Sequence, residues 1–233
     1  CLAAQLARVP QIRTMLVEPK LTPMEKGQAD GISVRSMEMF QAFGFAGKVM
    51  RESNWINETT FWATVADAPG SSQGRSQDDS PPSGGGGGHV PPPGGTLTRV
   101  ARAQDVPDGI SEMPHVLINQ ARVHDMFLDV MRNSPTRLAP DYGLKVIDLS
   151  VDPAAADHPV TVALEHTAPG REGRIARVRA NYVIGCDGAR SNVRGAIGGA
   201  LHGDAAHQAW GVMDVLAVTD FPDWRMKSFV RSQ

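Results

Sequence analysis

Between residues 182 and 194 the chain runs Tyr182-Val183-Ile184-Gly185 into Cys186-Asp187-Gly188-Ala189-Arg190 and then reaches Ser191-Asn192-Val193-Arg194. No other stretch limits the fold as tightly. An apolar run suits a buried strand, Asp-Gly marks a sharp turn, and a serine is a favoured first residue for a helix. Strand, turn and helix start within thirteen residues point to an α/β architecture.

The rest of the chain supplies matching pieces. Residues 2–9 carry an apolar helical stripe (Leu2, Ala3, Leu6, Ala7, Val9) closed by Pro10, and the strand-like run 14–17 ends in Glu18. Gly27 and Gly31 bound a short loop, after which Met37, Phe40 and Phe43 give helical spacing over 34–43. Strands are expected at 60–65 and 116–118. A helix is expected from Gln120 to Met131, burying Val123, Phe127, Leu128 and Met131. Two alternating segments, 144–149 and 160–165, flank a turn-rich stretch and predict a β-meander. Trp210 and Met213 read as sheet-core residues. The first residue is Cys with no cap before a helical run, and the last seven are β-forming with no turn after them. Truncation at both ends is therefore expected.

Composition matters at one place. Residues 71–95 hold 8 of the 24 glycines and 5 of the 17 prolines, too little apolar surface to repay ordering, so 71–97 reads as a disordered insert. Across the whole chain 23 Lys and Arg balance 25 Asp and Glu, which leaves no basic field for nucleic acid or anionic lipid. A small, weakly charged partner is the better expectation. Two cysteines, Cys1 and Cys186, build no disulfide framework, and with no secretory signal a cytoplasmic setting is expected.

The junction at 182–194 closely resembles the Asp-Gly motif of the flavoprotein aromatic hydroxylases, the single-component FAD monooxygenases. Further pieces are similar in order: LVEPK at 16–20, GQADGISVRSMEMFQAFGF at 27–45, HVLINQARVHDMFL at 115–128 and QAWGVMDVLAVTDFPDWRMK at 208–227. They resemble most the phenol hydroxylase and 3-hydroxybenzoate 4-hydroxylase branch. The resemblance implies a doubly wound FAD-binding domain interleaved with a β-sheet substrate domain. Residues 1–70 and 98–200 would be two parts of the former, and 201–233 the start of the latter. The family's glycine-rich phosphate turn would lie before Cys1 and its second flavin-closing motif after Gln233, so this chain alone is expected to purify colourless. Relatives in this branch commonly pair through a further C-terminal domain, so a homodimer is expected of the full-length protein.

The resemblance also implies a reaction. NADPH reduces FAD, O2 is captured as a flavin hydroperoxide, and oxygen passes to a phenolic ring. Asp30 would accept the phenolic proton, because a phenolate is the stronger carbon nucleophile. His115 and Lys227 would line the substrate pocket, and a cationic pair there favours a phenolic acid over a bare phenol. Glu18 would take the ribose hydroxyls, as a carboxylate at the end of a second strand does in dinucleotide folds. Arg35 would reach the phosphate and ribityl side, while Gln28, Gln120 and Asp187 would make further cofactor contacts.

Bland readings stand beside each of these. Asp30 in a glycine-bounded loop also suits a turn residue, Glu18 a solvated surface carboxylate, and His115 a structural histidine. The substrate could equally be a phenol or another aromatic of the same family, or the chain could be an inactive flavoprotein remnant. No metal set is expected: His202, His207 and Cys186 match no ligand template, and neither a hydrolase elbow nor a phosphate-binding P-loop occurs.

Overall fold

The computed structural model describes residues 1–27, 29–64, 97–204 and 206–231. In chain order the first part contains α1 (Leu2–Leu6), β1 (Val17–Glu18), β2 (Gly31–Ile32), α2 (Val34–Phe43), α3 (Ala46–Glu52), β3 (Asn54–Ile56) and β4 (Glu58–Thr64). Then come β5 (Leu97–Gln104), β6 (His115–Leu117), α4 (Gln120–Arg132), β7 (Asp141–Tyr142) and β8 (Leu144–Val151). The last elements are β9 (Val160–His166), β10 (Ile175–Ala180), α5 (Asn192–Ala196) and β11 (Lys227–Arg231). The disordered-insert expectation for 71–97 falls, apart from Leu97, outside the described residues, as does Gln28.

Two compact units form from discontinuous pieces: Cys1–Gly27 with Gln120–Met213, and Gln28–Asn119 with Asp214–Gln233. The first unit contains the meander that the alternating segments predict. Strands β8, β9 and β10 pair antiparallel in the order β10-β9-β8, with a bulge between Val146 and Asp148. Val160, Val162 and Leu164 alternate inward and bury with Leu149, each contributing about 1.5–3 kcal/mol. Val17, Val183 and Val193 pack against this cluster. β1 and β7 form a short parallel pair in which Glu18 lies opposite Tyr142. The Thr136 hydroxyl donates to the Ala7 carbonyl at 2.9 Å, tying the end of α1 to the turn after α4.

Helix α2 begins the packing of the second unit. Met37, Phe40 and Phe43 recur every three residues and are all buried, and Gly44 ends the helix at φ +88°, which glycine adopts without penalty. Phe45 follows at once and stacks on Phe40 with ring centroids 4.9 Å apart. One three-stranded sheet runs β2-β6-β3, with β6 antiparallel to both neighbours. The other runs β11-β4-β5, where β11 is parallel and β5 antiparallel to β4. Buried Asp223 pins this sheet, accepting from the Trp62 indole at 3.0 Å and from Arg99 at 3.0 Å.

Two expectations fail. Residues 182–185 are extended but form no strand: Tyr182 is 88% and Ile184 61% exposed. A strand exists only through its ladder, and among the described residues no neighbour pairs with this one. Trp210 and Met213 are 88% and 81% exposed rather than core residues, because residues 206–220 carry no strand to place them on a sheet face. In α4 the buried residues are Ala121, Val123, Met126 and Met131, while Phe127 and Leu128 are only half-buried.

Candidate functional site

In the second unit, antiparallel pairing brings three distant sequence pieces together. β2 pairs with β6 so that Gly31 faces Leu117, and the Asp30 carbonyl accepts from the Ile118 amide at 2.9 Å. The glycine-bounded loop is thereby fastened to the β6 strand at Asp30, whose residue is exposed. His115 opens β6 and is half-buried. Its Nε2 lies 3.5 Å from where a Cβ on Gly31 would stand. Glycine there keeps the backbone open beside the imidazole. On the other sheet Lys227 opens β11, opposite Thr59 of β4.

Asp105 joins the two sheets' ends. It follows β5, and its amide donates to the Asn57 carbonyl at 2.9 Å. Its Oδ2 lies 2.8 Å from His115 Nδ1, its Oδ1 accepts from the Thr59 hydroxyl at 3.3 Å, and Lys227 Nζ stands 4.0 Å from Oδ1. An ionised carboxylate only accepts, so His115 Nδ1 carries the hydrogen and Nε2 is the nitrogen left toward Gly31. The Lys227 ammonium also sits 5.4 Å from the Phe229 ring centroid, within cation–π range. Asp30, His115 and Lys227 thus belong to one unit, and Asp105 and Thr59 join them. Neither of the last two is legible in the sequence. Asp105 sits before a Pro and a turn, and only strand pairing, not spacing, reveals its partners.

The cofactor candidates divide between the units. In the first, Glu18 ends β1 half-buried, with its Oε1 accepting from the Lys20 amide at 3.0 Å. Gln120 is the first residue of α4, half-buried. Asp187 is exposed, and both its carboxylate oxygens are engaged. Oδ1 accepts from the Ser191 hydroxyl at 2.5 Å, and Oδ2 from the amides of Asn192 at 2.7 Å and Val193 at 3.2 Å. These bonds, the Ser191 hydroxyl first, hold its carboxyl below the ordinary range. Ser191 caps α5 in turn by accepting from the Arg194 amide at 3.0 Å. Arg194 braces the turn, donating to the Ala189 carbonyl at 2.7 Å. In the second unit Arg35 is exposed in the first turn of α2, and Gln28 lies outside the described residues.

The FAD binding domain family model matches residues 1–232, and the chain belongs to that family. It is 53% identical over 232 residues to the 3-hydroxybenzoate 4-monooxygenase of Comamonas testosteroni, a match covering 100% of this chain and 32% of that protein. It is 34% identical over 221 residues to the FAD-dependent monooxygenase terD of Aspergillus terreus (strain NIH 2624 / FGSC A1156), covering 93% of this chain and 31% of that one. The chain therefore spans about a third of the length of these relatives. Among solved structures, the flavin-dependent monooxygenase PieE in complex with FAD and substrate shares the fold. Its TM-score is 0.61 at 22% identity, over 87% of this chain and 30% of that one. The α/β aromatic-hydroxylase fold that the Asp-Gly junction implies is the fold these relatives have.

Each unit, taken by itself, carries residues suited to part of a flavin dinucleotide. The Tyr142 hydroxyl, opposite Glu18, is buried with no hydrogen-bond partner among the described residues. Burial first, then the charges of Glu18 and Asp125, push its ionisation upward, so it stays a neutral donor. A carboxylate and an unsatisfied hydroxyl on paired positions of neighbouring strands suit ribose hydroxyls. In the second unit, Ser33 precedes α2 without capping it, its hydroxyl lying 3.3 Å from that of Ser36. Uncapped first-turn amides on a helix that carries Arg35 in the same turn suit a phosphate.

Proposed function

We propose that the full-length protein is an FAD- and NADPH-dependent monooxygenase that hydroxylates a phenolic aromatic acid of the 3-hydroxybenzoate type. One observation carries the choice of an acid: His115 and Lys227, two side chains able to donate to a carboxylate, meet at one carboxylate anchor in the unit that also holds Asp30. The 53% identity to a 3-hydroxybenzoate 4-monooxygenase supports the same substrate class.

FAD, reduced by NADPH, supplies oxygen activated from O2. The protein's own residues do the rest. Lys227, and His115 in the imidazolium form that keeps Nδ1–H on Asp105 and carries a second hydrogen on Nε2, would hold the substrate's carboxylate by charge-assisted hydrogen bonds, each worth about 1.5–3 kcal/mol, and so orient the ring. Asp30 accepts the phenolic proton, raising electron density at the neighbouring ring carbons, a general-base contribution on the order of 10²–10⁴-fold. Glu18, Gln28, Arg35, Gln120 and Asp187 are the residues proposed to hold the cofactor. Asp187 would do so through its backbone, since its carboxylate is spent on the start of α5.

The test is a substrate screen with the FAD-loaded full-length protein, following NADPH consumption and product together. A catechol acid formed from 3-hydroxybenzoate in step with NADPH supports the proposal. Oxidation of phenol with every hydroxybenzoate ignored overturns it.

A further inference from the structure

We infer that Asp105 is the positioning residue of the acid-binding pair: it holds the Lys227 ammonium and the His115 ring, which donates from Nε2 as an imidazolium, in one arrangement, so that both donate to the same substrate carboxylate. This role rests on the assignment of His115 and Lys227 proposed above and adds a residue whose side chain touches neither substrate nor cofactor.

The geometry is specific. Three elements converge on Asp105: β6 through His115 Nδ1 at 2.8 Å, β4 through the Thr59 hydroxyl at 3.3 Å, and β11 through Lys227 Nζ at 4.0 Å. Asp105 is the most sheltered member of the charged trio, its side chain 13% exposed against 21% for His115 and 42% for Lys227. The carboxylate is thus set back while the two nitrogen-bearing groups stand forward. Its own backbone is fixed by the amide bond to Asn57. A lysine side chain otherwise spreads over many rotamers, and an imidazole can turn either nitrogen outward. Confining both before substrate arrives removes an ordering cost from binding.

Electrostatics alone predicts the opposite effect on the substrate. A negative charge near an anion site repels the incoming carboxylate, so neutralising Asp105 would tighten binding if Asp105 were only a neighbour. If it positions the pair, neutralising it weakens binding. The sign decides between them.

Dissociation constants from the flavin difference spectrum of the full-length holoenzyme give the measurement, with 3-hydroxybenzoate and its uncharged counterpart 3-hydroxybenzamide as the two probes. For Asp105→Asn the expected result is an acid affinity about 10- to 100-fold weaker, the loss of one to two charge-assisted bonds, with the amide changed less than about threefold. Unchanged or tighter acid binding overturns the role, as does a parallel loss for both probes. Thr59→Val serves if Asp105→Asn does not fold, and is expected to weaken the acid severalfold in the same selective way; no selectivity there overturns it. His115→Ala and Lys227→Ala separate the layers. If these leave acid and amide discrimination intact, the substrate proposal fails and the positioning role with it. If they abolish discrimination and Asp105→Asn does not, only the positioning role fails.

Discussion

Asp30 stands at the join between a loop and a strand, its carbonyl held by the Ile118 amide and its residue open to solvent. In the proposed enzyme that placement would present the carboxylate to a phenol while the backbone hydrogen bond holds the loop end to β6. Asp30→Asn in the full-length enzyme should therefore lower kcat on the phenolic acid by about 10²–10⁴-fold and leave flavin content unchanged, checked by stopped-flow rates and by the flavin-to-protein ratio. Asp187 has a different task. Its carboxylate is held low by the Ser191 hydroxyl and the α5 amides, so it stabilises the fold above its unfolded value near 3.8, and that contribution is lost as pH falls through its lower folded value. Asp187→Asn should cost about 0.5–1 kcal/mol near neutral pH, a small figure because the site is exposed. The gap in urea midpoint between the two proteins should hold from pH 7 to 5 and close below pH 4. At this scale Asp30, His115 and Lys227 are candidates by resemblance, and the structure places all three in one unit. Asp105 and Thr59 stayed hidden because their partners are set by strand pairing across 46 residues between them, which no local pattern records.

Elements follow the same division between local and non-local causes. Helix α2 is read correctly to the residue, since its apolar spacing and its Gly44 stop are both local signals. The meander is also legible, because alternation needs only the strand's own period. Helix α3 escapes notice: it starts one residue after Phe45, contains Gly47, and has no capping side chain to announce it. β5 is exposed along its whole length, so no buried face writes a pattern into it, and it exists through its pairing with β4. The run at 182–185 errs the other way, apolar enough for a strand but without a paired neighbour among the described residues. Gly185 nevertheless has a strict role. A Cβ there would stand 2.7 Å from Val193 Cβ and 3.1 Å from Asp187 Oδ1, neither of which is the far end of a flexible chain. Gly185→Ala should displace α5 and cost about 1–3 kcal/mol, read as a lowered urea midpoint accompanied by faster amide exchange at Asn192 and Val193. In the second unit, Asp223→Ala leaves the Trp62 indole only its longer bond to the Thr60 hydroxyl at 3.2 Å and takes away the carboxylate partner of Arg99, and should cost about 1–3 kcal/mol by the same denaturation measurement.

For the whole molecule, the near balance of 23 basic and 25 acidic side chains leaves recognition to individual groups rather than to a field. Among the described residues no helix is long and apolar enough to cross a membrane. The two units are each assembled from separated stretches of chain, 1–27 with 120–213 and 28–119 with 214–233. Local sequence patterns do not carry such interleaving, which only the resemblance implies, because contacts between remote segments leave no local periodicity. The membership of the FAD binding domain family rests on residues 1–232, and the proposed substrate class on a handful of side chains in the second unit. Those side chains can be judged together. In the FAD-loaded full-length protein, the ratio of kcat/KM for 3-hydroxybenzoate to that for phenol, compared between wild type and Lys227→Met, isolates the acid group's share of recognition. The proposed enzyme gives a wild-type ratio well above one that falls by about tenfold or more in the variant. A ratio that stays the same in both would contradict it.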